Sequence, residues 1–434
     1  MNRKALARRR AEFMNMLGQG MAVLTTAKHQ PRNRDVMYPF RPDSDFHYLT
    51  AFPEPEAAAV FVPGRPGGEF ILFCRERDPQ KELWDGRRAG VEGAVARYGA
   101  DHAYPIDRLH EILVELLPDQ QKVYTRMGQD PEFDSELFST VSNLREKTRQ
   151  GGRAPWEFVD LAHILHEMRL IKDRDEIGIM RKAAKLAARG HVRAMQCTRP
   201  GMYEYQVQAQ MECVFRHGGS FAPAYPSIVA GGANACILHY IDNNCRLADG
   251  DLLLIDAGAE LDCYASDITR TFPVNGRFSG AQRDVYEVVL AAQLAAIEAV
   301  RPERPVTDYH DVAVRTLTEG MVAIGLLEGD PDELIETGAY RKFYMHSTGH
   351  WLGIDVHDVG DYKIGDEWRS LESGMVLTVE PGLYVAPDPD VDEKWHNIGI
   401  RIEDDVLVTR DGPEVLTGDV PKDPDEIEAL MVNG

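Results

Sequence analysis

Five residues in the second half of this 434-residue chain have the types and spacing to do chemistry together: Asp256, Asp267, His350, Glu380 and Glu403. Each lies in or beside an apolar, strand-like run, where an unpaired charge is expensive to bury. Asp256 ends the run Leu252-Leu253-Leu254-Ile255, with positions 252, 254 and 256 on one face of a strand. A carboxylate placed there is paired, hydrogen-bonded or metal-bound, or else is simply a strand-end acid at a turn. The turn at Ala257-Gly258 and the run to Asp267 suit a hairpin that returns Asp267 opposite Asp256. Glu380 repeats the pattern after Met375–Val379, with the turn signal Pro381-Gly382 behind it. In Ile398–Glu403, alternation puts Arg401 and Glu403 on one face, which leaves a buried Arg401–Glu403 ion pair as the competing reading. The next two acids, Asp404 and Asp405, are expected to be solvated or capping.

The two acidic runs echo each other. Gly250 to Gly258 aligns with Gly374 to Gly382: in both, a glycine opens an apolar strand that ends in an acid, one residue and a second glycine. Each is followed by a strand carrying another acid, Asp267 or Glu403. Duplicated half-domains would set two acidic hairpins face to face; chance similarity of two short strands is the alternative. Histidines surround these runs. His239 sits in CILHY, His346 and His350 in HSTGH, and His357 in DVHD. The four-residue spacing of His346 and His350 includes a glycine and lacks the HExxH acid, so a helical zinc-protease motif is not expected.

Four hard carboxylates and one imidazole, without thiolate, suit Mn²⁺, Co²⁺, Fe²⁺ or Zn²⁺. Two such cations about 3.5–4 Å apart share bridging carboxylates and lower the pKa of bound water from about 15.7 toward about 7. The same cations polarise a carbonyl, and nearby histidines stabilise an oxyanion or protonate a leaving amine. The residue pattern therefore implies a metal-dependent hydrolase.

Two domains must position these groups, as the chain length suggests. Short strand-like runs (MAVLTT, AAAVFVPG, FILFCRE) and an amphipathic helix around Asp107–Leu117 form an α/β unit over roughly 20–125. A charged, glycine-rich stretch, EKTRQGGRAP, reads as a linker or surface loop. The boundary is placed near 172, giving domains 1–172 and 173–434. The second domain opens with helices near 174–196 and 203–217, followed by strands through SIVAGGANACILHY, DLLLIDAGAE and CYASDITRTFPV. Helices return near 279–301 and 308–325, followed by strands in WLGIDVHD, GMVLTVEPGLYV and IGIRIEDDVLVT.

The formal charge of −22 argues against nucleic acid and anionic membranes as partners. No apolar run reaches the roughly 18 residues of a membrane span. Six cysteines without CxxC spacing read as reduced thiols, which points to the cytoplasm. The basic N-terminus lacks an apolar secretion segment and reads as an amphipathic helix with Leu6, Phe13, Met14 and Leu17 on one face.

The segments ILHY, IDAGAELDCYASDITRTFPVNG, STGHWLGIDVHD, VLTVEPGLY and IGIRIEDDVLVT closely resemble the pita-bread metallopeptidases, which include methionine aminopeptidase, prolidase, Xaa-Pro aminopeptidase and the metal-free creatinases. YPFRPDSDFHYLTAFPEPEA and LWDGRRAG further resemble the N-terminal half of bacterial Xaa-Pro aminopeptidases (aminopeptidase P). The resemblance runs from about residue 5 to about 430. Local departures are His47, where several relatives carry an aromatic, and Ile241–Cys245, which replaces a usual Thr-Glu-Asn.

The resemblance implies an α/β (α+β) fold: an N-terminal creatinase-like domain for substrate gating and oligomerisation, then a pita-bread catalytic domain with internal two-fold pseudo-symmetry. It implies two Mn²⁺ per subunit, with Co, Fe or Zn as possible replacements. Asp256 chelates one metal, Asp267 and Glu403 bridge, and His350 and Glu380 complete the other. Glu380 also takes the nucleophile's proton, and a metal-bridging hydroxide attacks. His357 lies near the scissile carbonyl or the substrate amine, and His239 contacts the peptide beyond the cleavage point. His346, Tyr384 and Arg401 border a proline pocket. Trp84 resembles a residue that reaches a neighbouring subunit's site in tetrameric relatives. The implied reaction releases the first residue of a peptide with proline second, in a homo-oligomer, tetramer or dimer. Prolidase, confined to dipeptides, is the rival; a non-catalytic binding protein of the same fold is a third reading.

Overall fold

The computed structural model describes residues 2–146 and 153–433. The central residues of the expected linker, 147–152, lie outside the described residues. The chain divides into two compact units, Met1–Arg169 and Leu170–Gly434.

The first unit opens with the helix Arg3–Leu17, capped by the Asn2 side chain. Leu6, Phe13 and Leu17 are buried as the periodicity predicts, while Met14 is only partly buried. Arg9 and Arg10 are buried too, and here the polar-face expectation fails. Their guanidinium groups donate to the Tyr48 and Leu49 carbonyls at 2.9 and 3.1 Å and stack over the Tyr48 and Phe70 rings. Arginine tolerates such burial because planar stacking and forked donors replace its hydration. Six of the described strands form a mixed sheet in the order His102–Pro105, Phe70–Cys74, Ala58–Phe61, Met21–Thr25, Lys122–Thr125, Glu157–Asp160. An apolar core of Val23, Val60, Ile71, Phe73 and Val123 packs it against the helices Leu109–Leu116 and Pro131–Glu146.

In the second unit one order of elements occurs twice. The helices Arg174–Cys197 and Glu204–His217 precede a three-stranded antiparallel sheet of Ile228–Gly231, Leu252–Asp256 and Thr269–Pro273. The helices Gly280–Ala299 and Asp308–Ala323 precede the strands Val376–Val379, Gly382–Val385, Ile398–Arg401 and Asp404–Thr409. Capping boxes at Asp173/Glu176 and Ser279/Gln282 start the first helix of each pair. Each pair also packs through a glycine, because a Cβ at Gly190 would overlap Phe215 and one at Gly320 would overlap Val288.

Hairpin register sets where the acids fall. Leu252–Asp256 pairs with Thr269–Pro273 so that Asp256 faces Thr269, and Asp267 lies just beyond the ladder. In the second hairpin Val379 faces Asp404, and Gly382 faces Arg401. Glu380-Pro381 and Ile402-Glu403 therefore occupy one shared break between two ladders, where Pro381 supplies no N–H for pairing. Asp256 is the last paired residue of its ladder, whereas Asp267, Glu380 and Glu403 sit outside the ladders, free of strict alternation.

Two expectations are corrected. WLGIDVHD is not a strand: only Trp351 forms an isolated bridge, to Leu377, and the rest is a loop. Gly353 packs against Asp358, and the buried Lys172–Asp358 ion pair at 3.0 Å ties the loop down. Asp404 and Asp405 are fully buried instead of solvated. Asp404 accepts from Arg270, Lys422, Gln293 and Thr417 at 2.7–2.8 Å, and these donors outweigh burial to hold its carboxyl well below the usual range. Removing it would leave Arg270 and Lys422 beside one another without their countercharge. Asp404→Ala is therefore expected to lower the urea unfolding midpoint by a stability loss on the order of 3–5 kcal/mol. A loss below about 1 kcal/mol, the scale of a surface pair, would contradict the role of Asp404 as a buried hub.

Candidate metal centre

The two hairpins of the second unit deliver the four carboxylates, and the loop before Trp351 delivers His350, to one place. Asp267, His350 and Glu403 each offer a ligand atom within 4.8 Å of the others. His350 Nε2 lies 3.4 Å from Asp267 Oδ2 and 3.7 Å from Glu380 Oε1. Asp256 joins through Tyr225, whose hydroxyl is 2.6 Å from Asp256 Oδ1 and also touches Asp267 Oδ1. Two glycines permit the crowding. A Cβ at Gly258 would overlap the Ser266 carbonyl oxygen, and one at Gly349 the Thr378 carbonyl oxygen.

Electrostatics make this a site under stress. Burial, then repulsion from Asp267 and Glu380, pushes Glu403 well above the usual carboxyl range. Burial pushes Glu380 up to about 7 and raises Asp267 as well. Burial opposes the charging of His350, yet Asp267 and Glu380 outweigh it and raise the imidazole to about 9. Such carboxylates need a concentrated positive charge to remain ionised together. His350 Nδ1 sits 3.0 Å from the Trp351 carbonyl, to which it donates, and this orients Nε2 toward the acids. Four oxygen donors and one oriented imidazole fit divalent cations; Asp256, Asp267, His350, Glu380 and Glu403 are the residues that would hold them.

A supporting shell orients the ligands. The Asp267 N–H donates to the Asp405 carboxylate at 3.1 Å, Thr269 Oγ1 donates to Glu403 at 2.6 Å, and the His350 N–H donates to Thr378 Oγ1 at 3.0 Å. Arg401 does not form the ion pair with Glu403 considered above. Its Nη2 contacts Asp256 Oδ2 at 2.6 Å, its Nη1 donates to the Tyr384 hydroxyl at 2.9 Å, and its Nε donates to Thr269. Tyr384 in turn lies 2.9 Å from His346 Nε2. With His346 Nδ1 facing the Ser347 carbonyl at 2.7 Å, Nε2 is the acceptor. Burial, then Arg401, lowers His346 to about 4, so it is neutral at physiological pH.

His357 is exposed beside the ligands, with its ring edge-on to His350 at 4.3 Å. Burial and then His350 lower its pKa, and His239 contributes in the same direction to both His357 and His346. His239 is itself exposed on an irregular loop of the same unit. Trp84 belongs to the first unit, on the helix Pro79–Asp85, and is 88% exposed. Sequence reasoning missed Tyr225 and Thr269. Tyr225 lies in the loop segment Ala224–Ser227, where no periodicity marks it. Burial and the facing carboxylates raise its hydroxyl far above the usual range, so it stays protonated and donates.

Residues 178–410 match metallopeptidase family M24, and residues 6–124 match the aminopeptidase P N-terminal domain. The chain is 44% identical to the Xaa-Pro aminopeptidase of Escherichia coli over 433 residues, covering 99% of this chain and 98% of that protein. It is 46% identical to that of Haemophilus influenzae, covering 98% and 96%. The structure of Pseudomonas aeruginosa aminopeptidase PepP superposes with a TM-score of 0.98 at 54% identity, covering 100% of this chain and 98% of that one. The chain therefore belongs to metallopeptidase family M24 and carries the N-terminal domain of aminopeptidase P.

Proposed function

We infer that this chain is an Xaa-Pro aminopeptidase, a hydrolase that releases the first residue of a peptide whose second residue is proline. The observation that carries the reading is the convergence of Asp256, Asp267, His350, Glu380 and Glu403 in a chain similar over its whole length to Xaa-Pro aminopeptidases. That full-length similarity disfavours prolidase, and the complete donor set disfavours a non-catalytic binding protein.

Divalent cations bound by these five residues supply Lewis acidity to the scissile carbonyl and to the attacking water. We assign two Mn²⁺ per subunit; the donor set also accommodates Co²⁺, Fe²⁺ or Zn²⁺. Glu380 takes the proton of the attacking water and returns it to the leaving proline nitrogen. His357, at the exposed edge of the cluster, hydrogen-bonds the oxyanion as it develops. His239 holds the peptide beyond the cleavage point. The His346–Tyr384–Arg401 chain borders the proline ring and, through the Arg401–Asp256 contact, ties that pocket to the ligands. An Xaa-Pro bond is a tertiary amide without N–H, so a protease that recognises this donor fails on it. A site that grips the free amine and the carbonyl does not need the donor.

The first unit is assigned to substrate gating and oligomer contact. Leu83 and Trp84, 84% and 88% exposed on one short helix, support a contact with another subunit in a homotetramer or dimer. Cytoplasmic residence is supported by six free cysteines. Among the described residues no helix is long and apolar enough to cross a membrane.

Comparing Xaa-Pro dipeptides with Xaa-Pro-Yaa-Yaa peptides tests the function directly. Cleavage of the longer peptides after the first residue is expected, and turnover of dipeptides alone would make the chain a prolidase. Asp267→Ala and Glu403→Ala should each lose bound metal, measured by elemental analysis, together with nearly all turnover. His357→Ala should keep its metal and lose on the order of 10²–10³-fold in kcat. A metal-free His357→Ala protein would contradict the role given to this histidine.

A further inference from the structure

The loop that carries His239 has little regular structure. It leaves the strand Ile228–Gly231, passes through a short 3-10 turn at Gly232–Cys236 and runs irregularly to Cys245. Ile237 and Ile241, two residues to either side of His239, are 55% and 57% exposed. Leu238 and Tyr240, the residues flanking His239, instead pack into a small apolar cluster with Ile228, Ala230 and Leu254. Polar anchorage adds to this: Asn243 accepts from the Val229 N–H and donates to Gln208 and the Ser227 carbonyl, and four further bonds converge on one buried side chain.

That side chain is Glu204, the first residue of the helix Glu204–His217 and fully buried. Its carboxylate accepts four hydrogen bonds spread along the loop. Gly231 N–H and Asn234 Nδ2 donate to Oε1 at 2.8 and 3.0 Å. Tyr240 Oη and Cys245 N–H donate to Oε2, both at 2.8 Å. The backbone N–H of Glu204 also donates to the Cys245 carbonyl at 3.0 Å. The four carboxylate donors are neutral, so the charge is stabilised by a closed set of N–H and O–H groups and by the helix N-terminus beneath it. Tyr240, the residue after His239, is buried, so its hydroxyl links the histidine's own backbone to this hub. Nothing in the reaction described above uses Glu204.

We propose that Glu204 is a positioning residue for His239: its buried carboxylate fixes the Gly231–Cys245 loop in the conformation that presents His239 to the peptide beyond the cleavage point. The proposal rests on the reading of His239 as a substrate contact. A carboxylate is required at 204 because both oxygens must accept. A glutamine keeps the volume but turns an NH₂ group toward two donors, leaving them unpaired.

Kinetics on an Xaa-Pro-Yaa-Yaa peptide with the metal-loaded enzyme test this, using Glu204→Gln, His239→Ala and the double variant. His239→Ala is expected to lower kcat/KM by about tenfold or more, and Glu204→Gln to lower it in the same way with metal content unchanged. Because one residue acts through the other, the double variant should match His239→Ala to within about twofold. Tyr240→Phe removes a single donor and keeps the carboxylate, so it should show a smaller loss in the same direction, which serves even if Glu204→Gln fails to fold. Amide hydrogen exchange should rise across 231–245 in both loop variants and stay at the wild-type level in the helix Gly280–Ala299. Losses that multiply in the double variant, or wild-type kinetics in both Glu204→Gln and Tyr240→Phe, would overturn the proposal while leaving His239 as a substrate contact. Wild-type kinetics in His239→Ala would remove the reading of His239 and the proposal with it.

Discussion

Everything in the second unit answers to one constraint: four carboxylates must share a small, largely buried volume. Ionised together without countercharge they would repel one another strongly at low effective dielectric. Burial raises the carboxyls of Asp267, Glu380 and Glu403, and their mutual repulsion raises them further. A protein retains such a cluster where divalent cations convert the repulsion into binding energy. The repeated helix pairs and hairpins are the scaffold that holds the acids together against it.

The scaffold meets the constraint with breaks in regular structure. Asp256 ends a ladder, Asp267 lies just outside it, and Glu380 and Glu403 face each other across a gap between two ladders. A shell of polar groups then holds several of these carboxylates: the Tyr225 hydroxyl lies between Asp256 and Asp267, Arg401 donates to Asp256, and Thr269 donates to Glu403. The shell is mostly neutral, and among the described residues Arg401 is the one strong cation it brings to a ligand. Behind it, Asp404 sits between two cations, Arg270 and Lys422, in a separate charge group that anchors the same strand. Two adjacent acids, Glu403 and Asp404, thus do opposite work. One is left short of positive charge and suits a metal, and the other is neutralised and suits a core.

The site ligands were legible because each acid interrupts an apolar run, and the two runs share a glycine–strand–acid–glycine pattern. The helix pairs were legible from their period and from acidic starts such as Asp173 and Glu176. Sequence misled where local composition opposes tertiary context. Asp404 and Asp405 look solvated because adjacent charges usually are; the partners of Asp404, Arg270 and Lys422, and the Asp267 N–H that donates to Asp405 all come from other segments. WLGIDVHD alternates like a strand but forms a loop, because Gly353 packs tightly against Asp358 and the Lys172 pair replaces ladder bonds. Arg401 pairs not with Glu403, two residues on, but with Asp256 from the other hairpin, a contact that only the fold brings together. Tyr225 left no signal, since a loop tyrosine is defined only by what the fold brings to it.

The central claim is that the five residues hold a pair of divalent cations. Calorimetric titration of chelator-treated protein with Mn²⁺ measures this most directly. The account predicts two cations bound per chain, accompanied by a rise in melting temperature, because cations that bind only the folded site stabilise it. Saturating Mn²⁺ that produces no binding heat and no change in melting temperature would contradict it.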